Sequence, residues 1–98
     1  MSDPADSQRA DVFLFRARFF KSRQLAAAFV EKGGVRLDRT GHVRRLGKAS
    51  AGVCPGDKLL FSLRGRLVRV EVLALPERRG PAPEAQSTYI LTQIAEET

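Results

Sequence analysis

The apolar residues of this chain change their period once, and the change falls at Gly33-Gly34. Before it, Leu25, Ala26, Phe29 and Val30 recur at helical spacing, with Gln24 and Glu31 on the opposite side. After it, Leu59, Phe61 and Leu63 alternate along Lys58 to Arg64. Val68, Val70, Val72 and Ala74 do the same along Leu67 to Leu75, which is the period of a half-buried strand. Ser22 stands where an N-cap belongs, and the glycine pair tolerates the left-handed conformation that ends a helix. Helices first and strands afterwards make an α+β fold.

The segment ahead of Ser22 is ambiguous by period alone. Phe13, Ala17 and Phe20 share a face on a helix, whereas Phe13, Phe15, Ala17 and Phe19 share a face on a strand. Asp11 as an N-cap favours the helix. Val35 to Leu37 reads as a short strand, Asp38 to Gly41 as its turn, and residues 42–57 as irregular up to the turn Pro55-Gly56-Asp57. Gly65-Arg66 reads as a hairpin turn. Pro76 to Pro83 is a proline-rich basic loop with Arg78 and Arg79. From Glu84 to Glu97 the spacing of Ile90 and Ile94 fits a helix. The division expected is a disordered tail over 1–8, one folded domain over 9–75, and a loop and tail over 76–98. At 98 residues the chain holds one modest core, which leaves no room for a cleft between lobes.

The charge is segregated. Of 17 lysines and arginines, eleven fall in residues 9–48 against the acids Asp11, Glu31 and Asp38, whereas residues 49–98 balance. A basic excess confined to forty residues points to a polyanion-binding face. The longest apolar run, Leu25 to Val30, is far short of the ~20 residues of a spanning helix, and the acidic, polar start does not read as a secretory signal. A single cysteine, Cys54, excludes an internal disulfide and fits a reducing cytoplasm. With one histidine, His42, it cannot supply a structural zinc site. No membrane, metal or cofactor is expected.

Catalysis finds no constellation. His42, among Arg44 and Arg45, reads as a loop donor rather than a base, and Cys54 before Pro55 as a small apolar residue. Gly41 to Ala49 imitates a phosphate loop, but five residues separate Gly41 from Gly47, and Ala49 has no hydroxyl for magnesium. The positive signal is Lys21-Ser22-Arg23. Cations at a helix start oppose the macrodipole by ~0.3–1 kcal/mol each. A bound phosphate reverses that sign by taking the free N–H groups, the Ser22 hydroxyl and both cations together.

At these residues the sequence resembles the S4 RNA-binding domain with its alpha-L motif, and more closely the ribosome-associated heat shock protein 15 family. That family opens with Arg-x-Asp-Lys-Trp-Leu-Trp-x-Ala-Arg-Phe followed by Lys-Thr-Arg. Here the stretch runs Arg9, Asp11, Val12, Phe13, Leu14, Phe15, Ala17, Arg18 and Phe19, then Lys21, Ser22 and Arg23. Gly33-Gly34-Val35-Arg36, Lys48-Ala49-Ser50, Gly56-Asp57 and the stretch Glu77 to Ala85 also match, so the likeness covers residues 9–85. Phenylalanines replace the tryptophans, Ala49 replaces a proline, and the chain ends before the family's long basic extension.

The resemblance implies two N-terminal helices packed on a small antiparallel sheet. It also implies a non-catalytic monomer that binds structured ribosomal RNA. Its partner would be the large subunit, in the recycling or rescue of stalled nascent chains on tRNA. By position it names Arg9, Arg18, Lys21, Ser22, Arg23, Gln24, Gly34, Arg36, Lys48 and Ser50 as RNA contacts. The charge map adds Arg16, Lys32, Arg39 and Arg45. Phe13, Phe15, Phe19, Phe20 and Phe29 read as core before they read as base-stacking platforms. Two other functions fit the sequence: a targeting module for a pseudouridine synthase supplied by a partner, and an interaction module for an acidic protein.

Overall fold

A computed structural model describes residues 7–96 of the chain. The tail expected over residues 1–8 therefore lies mostly outside the described residues. Gln8–Arg9 form a short strand, β1, which pairs with Gly52–Val53, β4.

Helix α1 spans Ala10–Arg16. Ala10, Phe13, Leu14 and Ala17 follow the i, i+3, i+4, i+7 rule and are all buried. Asp11 is not its cap: Arg9 holds that position, and the Asp11 side chain folds back onto the Val12 N–H at 2.8 Å. The helix closes with the N–H groups of Arg18 and Phe19 on the carbonyls of Phe15 and Leu14, which is a Schellman motif. That motif puts Arg18 at φ 71°, a position that favours glycine.

Helix α2 spans Arg23–Glu31, and the Ser22 Oγ accepts the Leu25 N–H at 3.1 Å, as an N-cap should. A second Schellman motif ends it at Gly33, φ 84°, with Gly33 and Gly34 donating to Val30 and Phe29. Its inward face is Ala26, Phe29 and Val30, while Leu25 faces solvent.

The remaining strands are β2 Val35–Arg39, β3 His42–Arg45, β5 Lys58–Leu63, β6 Arg66–Val72 and β7 Tyr89–Glu96. They form one antiparallel sheet in the order β3-β2-β5-β6-β7. Both tight hairpins carry two residues at positive φ, Thr40-Gly41 and Arg64-Gly65, as type I′ turns require. The second turn sits one residue earlier than its sequence reading. Register aligns Val35, Phe61 and Val68 in one row and Leu37, Leu59 and Val70 in the next. These residues and the helices share a single buried cluster, so α1 and α2 cover one face of the sheet. Phe19 and Phe29 meet Phe61 edge-on at 5.5 and 6.2 Å between ring centroids.

Two expectations fail. Residues 42–45 are strand, not irregular; all four are exposed, so no apolar alternation marks them. The C-terminal stretch holds only a short helix, α3, over Ala82–Gln86, and then becomes β7. Ile90 and Ile94 are spaced like helix neighbours, but the free edge of β6 captures the segment into the ladder.

Candidate nucleic-acid interface

The basic residues singled out as contacts from the sequence sort into four places. The largest group surrounds Asp11, which is 2% exposed. Arg9 donates to its carboxylate through Nε and Nη2, both at 3.1 Å, and Arg23 through Nε at 3.2 Å. Burial pushes the Asp11 carboxyl up, but the hydrogen bonds from Arg9 and Arg23, the Arg9 charge and the Val12 N–H outweigh it. The group is held below the ordinary carboxylate range and stays ionised. One acid thus orients two arginines, whose side chains remain 48% and 51% exposed.

The loop between β3 and β4 is fastened beside this acid. The Asp11 N–H donates to the Ala49 carbonyl at 3.1 Å and the Ala10 N–H to the Ala51 carbonyl at 2.8 Å. Leu46 and Ala49 are buried as anchors, so Lys48 and Ser50 are exposed next to the start of α1. Lys21, Ser22, Arg23 and Gln24 lie at the start of α2, whose first turn holds no acid. Among the described residues the Lys21 and Lys48 side chains have no hydrogen bond or ion pair. A helix start, two aimed guanidiniums and two ammonium groups can hold phosphate oxygens, and the buried Asp11 is already spent on the arginines.

The second group lies at the β2–β3 hairpin. Arg36 and Arg45 face each other across the ladder. Arg45 lies over Gly33, where a β-carbon would come within 2.9 Å of its Cδ. Gly34 has a packing reason to lack a side chain: a β-carbon there would meet the Phe29 ring at 2.8 Å. Lys32 is the C-cap of α2, at the other end of that helix from Lys21.

The third group is bound to the segment after β6. Arg16 donates to the Pro76 carbonyl and Arg18 to the Gly80 carbonyl, each at 3.0 Å. Arg79 answers from the other side, with its guanidinium 5.0 Å above the Phe15 ring and Nε on the Phe15 carbonyl at 3.2 Å. Arg39 stands alone on the core side of β2. It grips Asp57 with two bonds of 2.9 and 2.8 Å and also donates to the Gly52 carbonyl, which ties the β2–β3 hairpin to β4. Phe13 is fully buried and Phe15, Phe19, Phe20 and Phe29 are half-buried.

Among the exposed arginines not singled out as contacts from sequence are Arg44 and Arg69. Arg44 lies on β3, which read as irregular. Arg69 lies between the inward Val68 and Val70, and that alternation was signal enough to place it on the open face. Among the described residues no cluster of His, Cys, Asp and Glu could hold a metal. No helix among them is long and apolar enough to cross a membrane.

The S4 domain family model matches residues 8–40, which take in α1, α2 and β2. The heat shock protein 15 homolog of Haemophilus influenzae is 33% identical over 85 residues, 87% of this chain. The chain spans 61% of that relative's length. The solved trimeric structure of Vibrio cholerae heat shock protein 15 superposes with a TM-score of 0.76 at 31% identity, covering 88% of this chain and 82% of that one.

Proposed function

Because this chain belongs to the heat shock protein 15 family and carries its RNA-binding S4 domain, we propose that it grips structured ribosomal RNA without catalysing a reaction. The observation that carries this reading is the group around Asp11. Arg9, Lys21, Arg23 and Lys48, with Ser22, Gln24 and Ser50, gather where the starts of α1 and α2 meet the β3–β4 loop. Cations of that density contact phosphates, and the helix start sets the register on the backbone. We take residues 9–75 as the RNA-binding unit, with 76–98 as its extension, in a protein of the cytoplasm. The target we assign is the large ribosomal subunit, in the recycling of stalled nascent chains on tRNA.

The test is sedimentation with ribosomal subunits. Arg23 is a poor residue to reverse, because a glutamate there would face Asp11 and unfold the region. Lys21→Glu with Lys48→Glu changes only free side chains. The double variant should leave the large-subunit fractions while keeping its melting temperature. Wild-type binding should fall with salt, by on the order of 0.7–0.9 log unit per phosphate contact for each log unit of salt. Co-sedimentation that ignores both the substitutions and the salt would refute the reading. The solved relative is a trimer, which leaves the monomer expected from sequence without support. Light scattering of the free chain decides its state.

A further inference from the structure

We propose that the uncovered face of the five-stranded sheet is a second RNA contact, which takes the backbone of an unpaired strand across Arg45, Arg36 and Arg69. The inference rests on the RNA-binding reading above, but concerns the side of the sheet away from the helices. Strand register sets Arg45, Arg36, Leu60, Arg69 and Thr92 side by side across β3, β2, β5, β6 and β7. Their neighbours along the strands, Leu37, Leu59, Phe61, Val68 and Val70, are buried under the helices, so this row faces outward.

Arg36 and Arg45 are directly opposed, an arrangement in which like charges repel. Arg36, Arg45 and Arg69 are exposed, and among the described residues none of the three side chains has a hydrogen bond or ion pair. The next outward row is built differently: Asp38, Lys58 and Glu71 alternate in sign, so each charge has an opposite neighbour. A surface made only for solubility would show that second pattern in both rows. The fold compensates one row and leaves its neighbour with three arginines and no acid of its own; the nearest acids, Asp38 and Glu71, already flank Lys58, and a polyanion would complete the row.

The shape fits an unpaired strand. A groove of about 440 Å³ runs between Arg36 and Arg69, with Leu60, Leu67 and Val43 along it and one acid, Asp38, at its wall, which is already opposed to Lys58. Arg36 and Arg69 are two strands apart, roughly 10 Å at the usual strand spacing. Each guanidinium can fork onto a phosphate or lie flat on a base. The leucines offer the bases an apolar surface. Binding there should be tolerant of sequence and governed by salt.

The experiment compares two probes on the full chain, an oligouridylate and a base-paired RNA hairpin, across a salt series. Arg69→Gln should lower the salt slope for oligouridylate by about 0.7, and Arg36→Gln, Arg45→Gln and Arg69→Gln together by about 2, with affinity down on the order of tenfold. Arg69→Gln should leave hairpin binding unchanged. Thermal melts of each variant check the fold, and Arg69→Gln alone suffices if the triple variant melts early. Oligouridylate binding that keeps its wild-type slope in Arg69→Gln overturns the proposal and leaves the main interface standing. So does equal loss of both probes in a folded Arg69→Gln, or an acidic protein displacing oligouridylate without salt dependence. A wild type that holds neither probe overturns both readings together.

Discussion

Replacing Asp11 by asparagine removes one charge and almost no volume, so it isolates what the carboxylate does. Two guanidiniums and one N–H converge on a side chain that is 3% exposed. Breaking a fully buried pair costs about 3–5 kcal/mol, because the surviving charge is stranded. Here Arg9 and Arg23 are 48% and 51% exposed, so both swing back to water. Each pair is then screened by solvent and worth only a small part of that, so most of the cost comes from the buried side chain itself. The amide oxygen of asparagine can still accept the Val12 N–H, but its NH₂ meets arginine donors. The sum is a loss of about 2 kcal/mol at neutral pH, a fall in melting temperature of roughly 10 °C for a domain of this size.

The pH dependence has a definite sign. The folded carboxyl is held below its unfolded value of about 3.9. Its contribution is therefore complete above about pH 4 and is lost as acid protonates the folded form. Urea titrations of wild type and Asp11→Asn, followed by circular dichroism at pH 7 and stepwise into acid, should show a gap that closes at low pH. A gap that persists unchanged in acid would show that packing, not charge, is at stake. The absence of a gap at pH 7 would refute the role of Asp11 as the hub of the cluster.

Three further outcomes follow from local geometry. Ser22→Ala should cost about 1 kcal/mol by orphaning the Leu25 N–H, while Ser22→Gly costs only a few tenths, both measured by thermal melts. Arg18→Gly should be more stable than Arg18→Ala by about 1 kcal/mol, because only glycine is at ease at a φ of 71°. Gly34→Ala should lose about 1–3 kcal/mol against the Phe29 ring, and a good part should return when Phe29 is trimmed to leucine.

What could be read from the chain beforehand depended on whether a segment buries a regular face. Ser22 as a cap, the glycine pair as a stop, and the alternation of Leu59, Phe61, Val68, Val70 and Val72 all describe faces that the fold buries. Strand β3 buries nothing, so His42 to Arg45 left no pattern to find. β7 was hidden for a different reason: a four-residue spacing of isoleucines mimics a helix, and only the vacant edge of β6 decides against it. Asp11 misled because the same residue type serves caps and buried ion pairs. The choice between them lies with Arg23, twelve positions later. The proposed RNA contacts were chosen by charge and by resemblance, but charge does not say whether a guanidinium is free. Arg39 is committed to Asp57 and Arg16 to a backbone carbonyl, and nothing local to either residue announces it.

The arginines bound to the segment after β6 carry a consequence for how the chain comes off its template. The carbonyl that receives Arg16 is synthesised 60 residues after it, and Gln8 waits 68 residues for the same oxygen. The opening helix therefore emerges long before its last ties exist. Vectorial synthesis must reach Pro76 and Gly80 before the first helix is locked.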